Sequence, residues 1–502
     1  MLLADGRVYL NPAPPPARTP ALPVALLGHV PGRARVQRLT RAMREQWRGL
    51  GLSASRTRIE RLAGGGAAVD DEDARLAELL HLPLALDSYA QFLDLFPDAR
   101  SAAALTQHTP LAGSACWLPL AVEDFFAAGG ERLWLVRVPE SEGRDGLLPA
   151  GEPDFSHPET LRGIDVALGI PEIGLLALPD LERLQVPPQI RADAVAVQRP
   201  LQARFVPLGQ LGPREQNVQA ADSVPATPPW PFTELLARLL PRCARWRPDV
   251  QCLLTLPLAA DPAHGAQADA DALARLAALD GEALRQAQRL QLLFPYLCGP
   301  RAPLASAGGL LAGHIAARAV DGAWRSIAGR ALASDALPWP LLERRQAAAL
   351  RETPGIGVLL NRDGALQLDD ERLCGGLPGT LAEQPGQAAA NSGIYYYRSA
   401  EVVRLIGWLL RQLAAFGERL VFVTDPDDPR PGLLLEDFFR RLHARGGLRG
   451  ARFEDACRIR RVEAGAATIA WDIEIAPAVP IDTLTLSLLH TDGAWRAQVD
   501  HG

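Results

Sequence analysis

Between Ala121 and Ala128 the apolar positions Val122, Phe125 and Phe126 fall on one helical face, and the pattern stops at Gly129 and Gly130. Leu133 to Val138 then runs apolar without alternation, as a strand buried on both faces does. Ile170 to Asp180, "IPEIGLLALPD", predicts a second such strand ending at Pro179, and a helix over 233–246 followed by a strand at Val250 to Leu256 predicts a third unit. A helix is expected over about 36–50. "SAEVVRLIGWLLRQLAAFG" predicts a long helix capped by Ser399, burying Val402, Ile406, Leu409 and Leu413 and ending at Gly417. A strand "RLVFVT" and a helix "LLLEDFFRRLHAR", closed by Gly446 and Gly447, are expected next. "ATIAWDIEIAP" and "IDTLTLSLLH" alternate apolar and polar residues as half-buried strands do. Helices alternating with buried strands make the fold class α/β, with mixed α+β character toward the end.

The remaining stretches set boundaries. Residues 1–22 hold "NPAPPPARTPALP", too rich in proline for a helix or a central strand, and read as an extended arm carrying a short strand at Val8, Tyr9 and Leu10. Five prolines lie within residues 1–20, so the arm has little to bury and is expected to serve assembly rather than core folding. Residues 23–140 form the first part of the core, with an insertion at about 31–81 that includes "AGGGAAVDDED". Residues 141–232 read as an outer or irregular region around the core strand at about 170–180. Residues 233–480 supply the second part of the core, and 481–502 a C-terminal strand and arm.

Composition narrows the chemistry. The chain has 502 residues and a net charge of −6, which disfavours nucleic acid as a main partner. It contains no lysine, so all 52 basic residues are arginine. Phosphate-loop, Schiff-base, pyridoxal and Ser-x-x-Lys chemistry are therefore excluded. Six scattered cysteines read as buried free thiols of a reducing compartment, and no apolar run approaches the length of a spanning helix. The chain is expected to be made in the cytoplasm as a soluble protein.

No G-x-S-x-G, no H-E-x-x-H and no histidine pair at i, i+4 occurs. "AGGGAAVDDED" lacks the lysine of a phosphate loop. Asp425, Asp427 and Asp428 lie in a proline-broken turn, with Arg430 where a calcium loop needs glycine. Ser306 and His314 lie close in sequence, but among small residues that suit helix packing. No catalytic, metal or cofactor residue is assigned. From Arg440 to Arg461 there are eight arginines against Glu454 and Asp455, a local basic surplus.

One family fits these segments in order. "VEDFFAAGGERLWLVRV" resembles the helix, Phe-Phe, Gly-Gly and strand of contractile tail sheath proteins, found in phage tails, R-type bacteriocins and phage-tail-like injection systems. "LPLALDSYAQFLDLFP", with Phe92 and Phe96, is similar to the segment that precedes it there, and "GIDVALGIPEIGLLALPD" to the following buried strand. "APLASAGGLLAGHIAARAVDGAWRSIAGRAL" resembles the sheath signature, here on Pro303, Ser306, Gly308, Ala312, Gly313, Ala317, Arg318, Asp321, Gly322 and Trp324. "GIGVLLNRDG", "FFRRLHARGGLRGA" and "EIAPAVPIDTLTLSL" follow collinearly, so the resemblance spans roughly 23–30 and 82–490. Departures lie in "YYYRSAEVVRLIGWLL", "TDPDDPRPGLLLED" and the bend at Ile481 and Asp482.

The resemblance implies a core built from both halves of the chain, with peripheral insertions and extended terminal arms. It implies a structural subunit, not an enzyme, of a contractile sheath that surrounds an inner tube and drives it through a target envelope. A non-contracting paralogue at the baseplate or cap end is the alternative that the departures motivate, and a cytosolic enzyme with an assembled site is a remote one. Implied partners are copies of itself or paralogous sheath subunits, the inner tube protein, and baseplate and cap proteins, with no nucleic acid and no membrane insertion. Assembled, the chain would be part of a phage tail or phage-tail-like particle. Implied inter-subunit arms are Val8, Tyr9 and Leu10 at one end and Leu484, Thr485 and Leu486 at the other. A tube-facing role is implied for Arg440, Arg441, Arg445, Arg449 and Arg452. Arg137, inside a core strand, requires a charge partner or a path to solvent, and Asp321 is a candidate partner.

Overall fold

The computed structural model describes residues 22–30, 32, 34–47, 79–99, 116–187, 190, 230–261, 265–279, 281–352, 355–374, 399–420, 429–463, 469–479, 484–491 and 494–500. The strand at Val8, Tyr9 and Leu10, most of the expected insertion at 31–81, the aspartates at 425–428 and Thr424 lie outside the described residues.

The strands are β1 Val24–Gly28, β2 Pro83–Leu86, β3 Leu133–Arg137, β4 Leu175–Ala177, β5 Gln251–Thr255, β6 Leu258–Asp261, β7 Gly265–Ala268, β8 Leu290–Phe294 and β9 Tyr296–Gly299. There follow β10 Ala302–Ala305, β11 Ala331–Leu332, β12 Leu337–Trp339, β13 Ile356–Arg362, β14 Ala365–Leu368, β15 Cys457–Glu463, β16 Ile469–Ile475, β17 Leu484–Thr491 and β18 Ala494–Asp500. Nine of them make one sheet in the order β11-β14-β13-β8-β5-β4-β1-β3-β2. Its six central strands are parallel, and β2, β14 and β11 close the edges antiparallel. Strands from both halves of the chain therefore share one core.

Both sheet faces are covered. Ala25, Leu27, Trp134, Val136, Leu176 and Leu254 point into one buried cluster, whereas Val24, Leu26, Leu133, Leu135, Leu175 and Leu253 point into the other. This alternation across two apolar layers is why the sequence runs are apolar throughout. The helix Leu118–Ala127, which extends the expected helix toward its start, leads to β3 through Gly129 at φ +93°. A Cβ on Gly130 would stand 2.4 Å from the Phe125 ring, so the paired glycines supply a left-handed turn and then room for the first phenylalanine. Phe126 packs edge-on against Phe125, with ring centroids 5.1 Å apart.

A second unit follows. The helices Ala400–Leu420 and Arg430–Ala444 pack on the four-stranded sheet β15-β16-β17-β18, burying Val402, Ile406, Leu409, Phe439, Ile473 and Leu486 together. The first of these helices runs through Gly417, where an end was expected. An interior glycine costs only about 1 kcal/mol, and Phe416 on the same turn packs against the core. Arg419 and Leu420 are thus helical, not the start of a strand. The second helix begins at Arg430, earlier than expected, because Pro431 suits a first turn. Residues 484–500 belong to the same sheet as 457–475, so the boundary expected at 481 falls inside one structural unit.

Arg137 is 4% exposed, and burial lowers its basicity to about 10. Its guanidinium lies over Phe96, 4.7 Å from the ring centroid, while Nε and Nη1 find no hydrogen-bond partner among the described residues. Asp321 does not serve it, since that carboxylate pairs with Arg318 at 2.8 Å on the surface. The phenylalanine of the F-x-x-x-F segment, rather than an acid, receives the charge. Arg137→Ala is expected to lower the melting temperature of the isolated chain by removing this stack and the packed stem. Arg137→Met, which keeps the volume without the charge, should equal or exceed the parent; a Met variant as unstable as the Ala variant would contradict the unpaired-charge reading.

Candidate functional site

In an open parallel sheet, ligands bind outside the carboxyl ends of the strands where the strand order reverses. Here the chain leaves β1 for β3 on one side and then crosses to β4 on the other, so that point lies beyond Gly28 and Ala177. It is filled by Asp180. Its carboxylate accepts the backbone N–H groups of His29 at 2.8 Å, Trp117 at 2.8 Å and Leu118 at 3.2 Å, the last two at the start of the Leu118–Ala127 helix. A Cβ on Gly28 would stand 2.2 Å from Asp180 Oδ2, so the glycine is required for this approach. Arg183 pairs with Asp180 at 3.1 Å and with Glu140 at 2.6 Å, all three largely or wholly out of solvent. The helix N-terminus that would cradle a bound anion is occupied by the chain's own carboxylate.

The thiol of Cys116 donates to Glu140 at 2.8 Å, and burial pushes it far above its usual range, so it is no nucleophile. Glu182, behind the cluster, is raised to about 7 by burial, with the Ser306 and Thr255 hydroxyls beside it but not in hydrogen-bond geometry. At 1% exposure it faces no cleft that a substrate could enter. Ser306 Oγ accepts from Gly308 N at 2.9 Å, and His314 Nε2 accepts from Ala333 N at 2.9 Å, so those two are committed separately. Asp154, Ser156 and His157 do meet, but in an exposed turn in which the serine hydroxyl donates to the aspartate and the aspartate also takes Ser156 N. His157 Nδ1 faces both Asp154 Oδ2 at 2.9 Å and Ser156 Oγ at 3.1 Å, so the ring cannot relay a proton between serine and acid as a triad histidine does through its two nitrogens. Among the described residues no group of three or more His, Cys, Asp or Glu could hold a metal, and no helix is long and apolar enough to cross a membrane.

The signature segment is explained by packing. Gly309 and Gly313 let the helix Gly308–Ala319 lie directly on Leu118–Ala127: Cβ atoms there would come within 2.4 Å of Ala121 O and 2.3 Å of Phe125 O. Gly322, at φ +146°, turns the chain beneath Trp324, whose ring a Cβ would meet at 2.5 Å. Trp324 joins the C-terminal core edge-on to Trp408, with centroids 6.4 Å apart.

Two ion pairs fasten the units together, and neither is marked in the sequence. Arg404, in the long helix, bonds both oxygens of Glu371 at 2.8 and 3.0 Å, each side chain 1% exposed. Glu371 also accepts Ser326 Oγ at 2.6 Å and Ile327 N at 2.9 Å from the loop after Trp324. Arg411 reaches the Asp249 carboxylate at 3.0 Å and its backbone oxygen at 2.8 Å.

The basic segment spans the end of the Arg430–Ala444 helix and the chain that follows it. Arg440, Arg441, Arg445, Arg449 and Arg452 are all exposed. Arg440 pairs with Glu436 at 2.6 Å and covers Phe453, Arg441 pairs with Asp437, and Arg445 donates to Val320 O at 3.1 Å. The surplus is thus smaller than the Arg440–Arg461 window suggests, because Glu436 and Asp437 sit one turn before it. Leu484, Thr485 and Leu486 do not form a free arm. They lie in a strand whose partners are β16 and β18 of the same chain, so the backbone groups that an exchanged strand must offer are already paired.

No family model matches the sequence, and no curated protein matches it. Solved structures do. The chain is similar to a chain of the anti-feeding prophage (AFP) baseplate, with 14% identity, a TM-score of 0.52 and coverage of 96% of this chain and 97% of the other. It is equally similar to a chain of the AFP helical sheath in its contracted state, with 14% identity, a TM-score of 0.50 and coverage of 96% and 98%. The mixed α/β architecture that the sequence resemblance implies is therefore the one found, and from end to end this chain has the fold of a contractile sheath protein.

Proposed function

We propose that the chain is a structural subunit of a contractile sheath, wrapped with copies or paralogues of itself around an inner tube in an assembled phage-tail-like particle. The observation that carries this reading is end-to-end agreement of fold with an AFP helical-sheath chain, over 96% of one and 98% of the other. The filled switch point supports it, since the place where this topology would hold a ligand is closed by Asp180 and Arg183. A terminal, baseplate-end subunit is the second reading, favoured by the similarity to an AFP baseplate chain. Electron microscopy of the purified full chain separates them. Tubular or stacked-ring polymers support the sheath subunit, whereas a chain that remains monomeric yet joins a baseplate supports the terminal one.

Arg440, Arg441, Arg445, Arg449 and Arg452 are proposed to face an acidic tube. Solvated ion pairs each contribute up to about 1 kcal/mol and leave no deep packing to break when the tube slides free. Reversing Arg441 and Arg445 to glutamate is expected to weaken co-sedimentation with the tube protein on the order of tenfold, two such pairs amounting to about 1.4 kcal/mol. Salt near 1 M should mimic the loss, because the screening length falls to about 3 Å. Undiminished co-sedimentation of the reversed chain would remove these residues from the tube contact.

A further inference from the structure

A groove of about 1160 Å³ opens between the two units, with Phe155, Trp246 and Trp408 half-buried along it and Trp324 at its back. Phe155 and Trp246 meet at a tilt of 60° with centroids 4.9 Å apart, so one side of the groove is aromatic. Pro23 lines the same groove. Leu22 is 1% exposed, and Pro23 O accepts Gly174 N at 2.9 Å, which fixes where the chain emerges before β1. The chain thus enters β1 beside the groove's edge.

Those residues have the chemistry that an aromatic groove recognises. Pro12, Pro14, Pro15, Pro16 and Pro20 favour the polyproline conformation, and Pro12 to Pro15 is a P-x-x-P step. Such segments lose little entropy on docking between indole and phenyl rings. At about 3.1 Å per residue, Pro12 to Ala21 would extend about 28 Å, ample to follow a groove of this volume. Arg18 adds the segment's one charge, and the groove's lining carries both signs, Glu131, Glu172, Asp249 and Glu418 beside Arg247, Arg411 and Arg445, with Asp249 paired to Arg247 and Arg411.

We propose that residues 12–21 dock in cis in this aromatic groove, so that the proline segment binds the seam between the two units of its own chain. The assignment does not depend on the sheath role. It is tested on the full-length chain carrying a photoreactive benzophenone side chain in place of Ala17, mixed as equal parts of ¹⁵N-labelled and unlabelled protein. Mass spectrometry is expected to find cross-links to peptides containing Phe155, Trp246 or Trp408, joining peptides of the same isotope. Replacing Pro14, Pro15 and Pro16 together with serine, which leaves the core untouched, should cut the yield at least fivefold. Cross-links to other surfaces, cross-links joining the two isotopes, absence of any cross-link, or a yield indifferent to the prolines would each overturn the proposal.

Discussion

Glu371→Ala is expected to remove about 3–5 kcal/mol of unfolding free energy, a large part of the roughly 5–15 kcal/mol a domain possesses. The acid and Arg404 are both 1% exposed, so deleting one leaves the other's charge in the interior. It also orphans Ser326 Oγ and Ile327 N, which bond to the same carboxylate. Arg404→Ala should cost about as much. The double change to leucine at both positions should cost less than either single one, because it buries no charge. Urea melts of the four proteins check this ordering. A Glu371→Ala midpoint equal to the parent's would show that the pair does not hold the units together.

Gly313→Val should leave little folded protein. A Cβ there meets Phe125 O at 2.3 Å and the Ala128 side chain at 2.8 Å, and backbone cannot yield as a flexible side chain can. Gly313→Ala, adding the smallest group, is expected to cost about 1–3 kcal/mol by forcing the two helices apart. Gly151→Ala is the control, since a Cβ there has nothing within 4 Å, and its melting temperature should stay within about a degree or two of the parent's. A Gly313→Ala chain that melts with the control would mean that the helix contact is looser than its geometry.

Features set by local pattern were legible in the sequence. The apolar runs at 133–138, 170–180 and 250–256 became the parallel strands β3, β4 and β5, because strands buried on both faces carry no alternation. Gly129 and Gly313 stand out in the sequence, although only the structure shows that the first turns the chain and the second admits the Phe125 backbone. Features set by distant partners were not legible. Asp249 and Arg411 lie 162 residues apart, and in a chain whose every base is arginine nothing marks which guanidinium is buried. Arg137 stands out as a charge inside a strand, but its candidate partner Asp321 does not meet it and Phe96 does, because an aromatic acceptor leaves no charge signature. The basic segment was overcounted, since helical pairing at i, i+4 reaches across any window drawn on the sequence. Leu484 to Leu486 looked like a strand in want of a partner because alternation shows that a strand exists and not what lies beside it.

The nine-stranded sheet gives the protein a grain, like timber. Eight inter-strand spacings of about 4.8 Å make it about 38 Å across, with β2 at one margin and β11 at the other. A force pulling those margins apart meets one ladder of hydrogen bonds at a time and can peel them in sequence. A thrust along the strands loads the six parallel members together in shear, with packed side chains on both faces resisting buckling. A body built this way carries load stiffly along its strands and splits most readily across them.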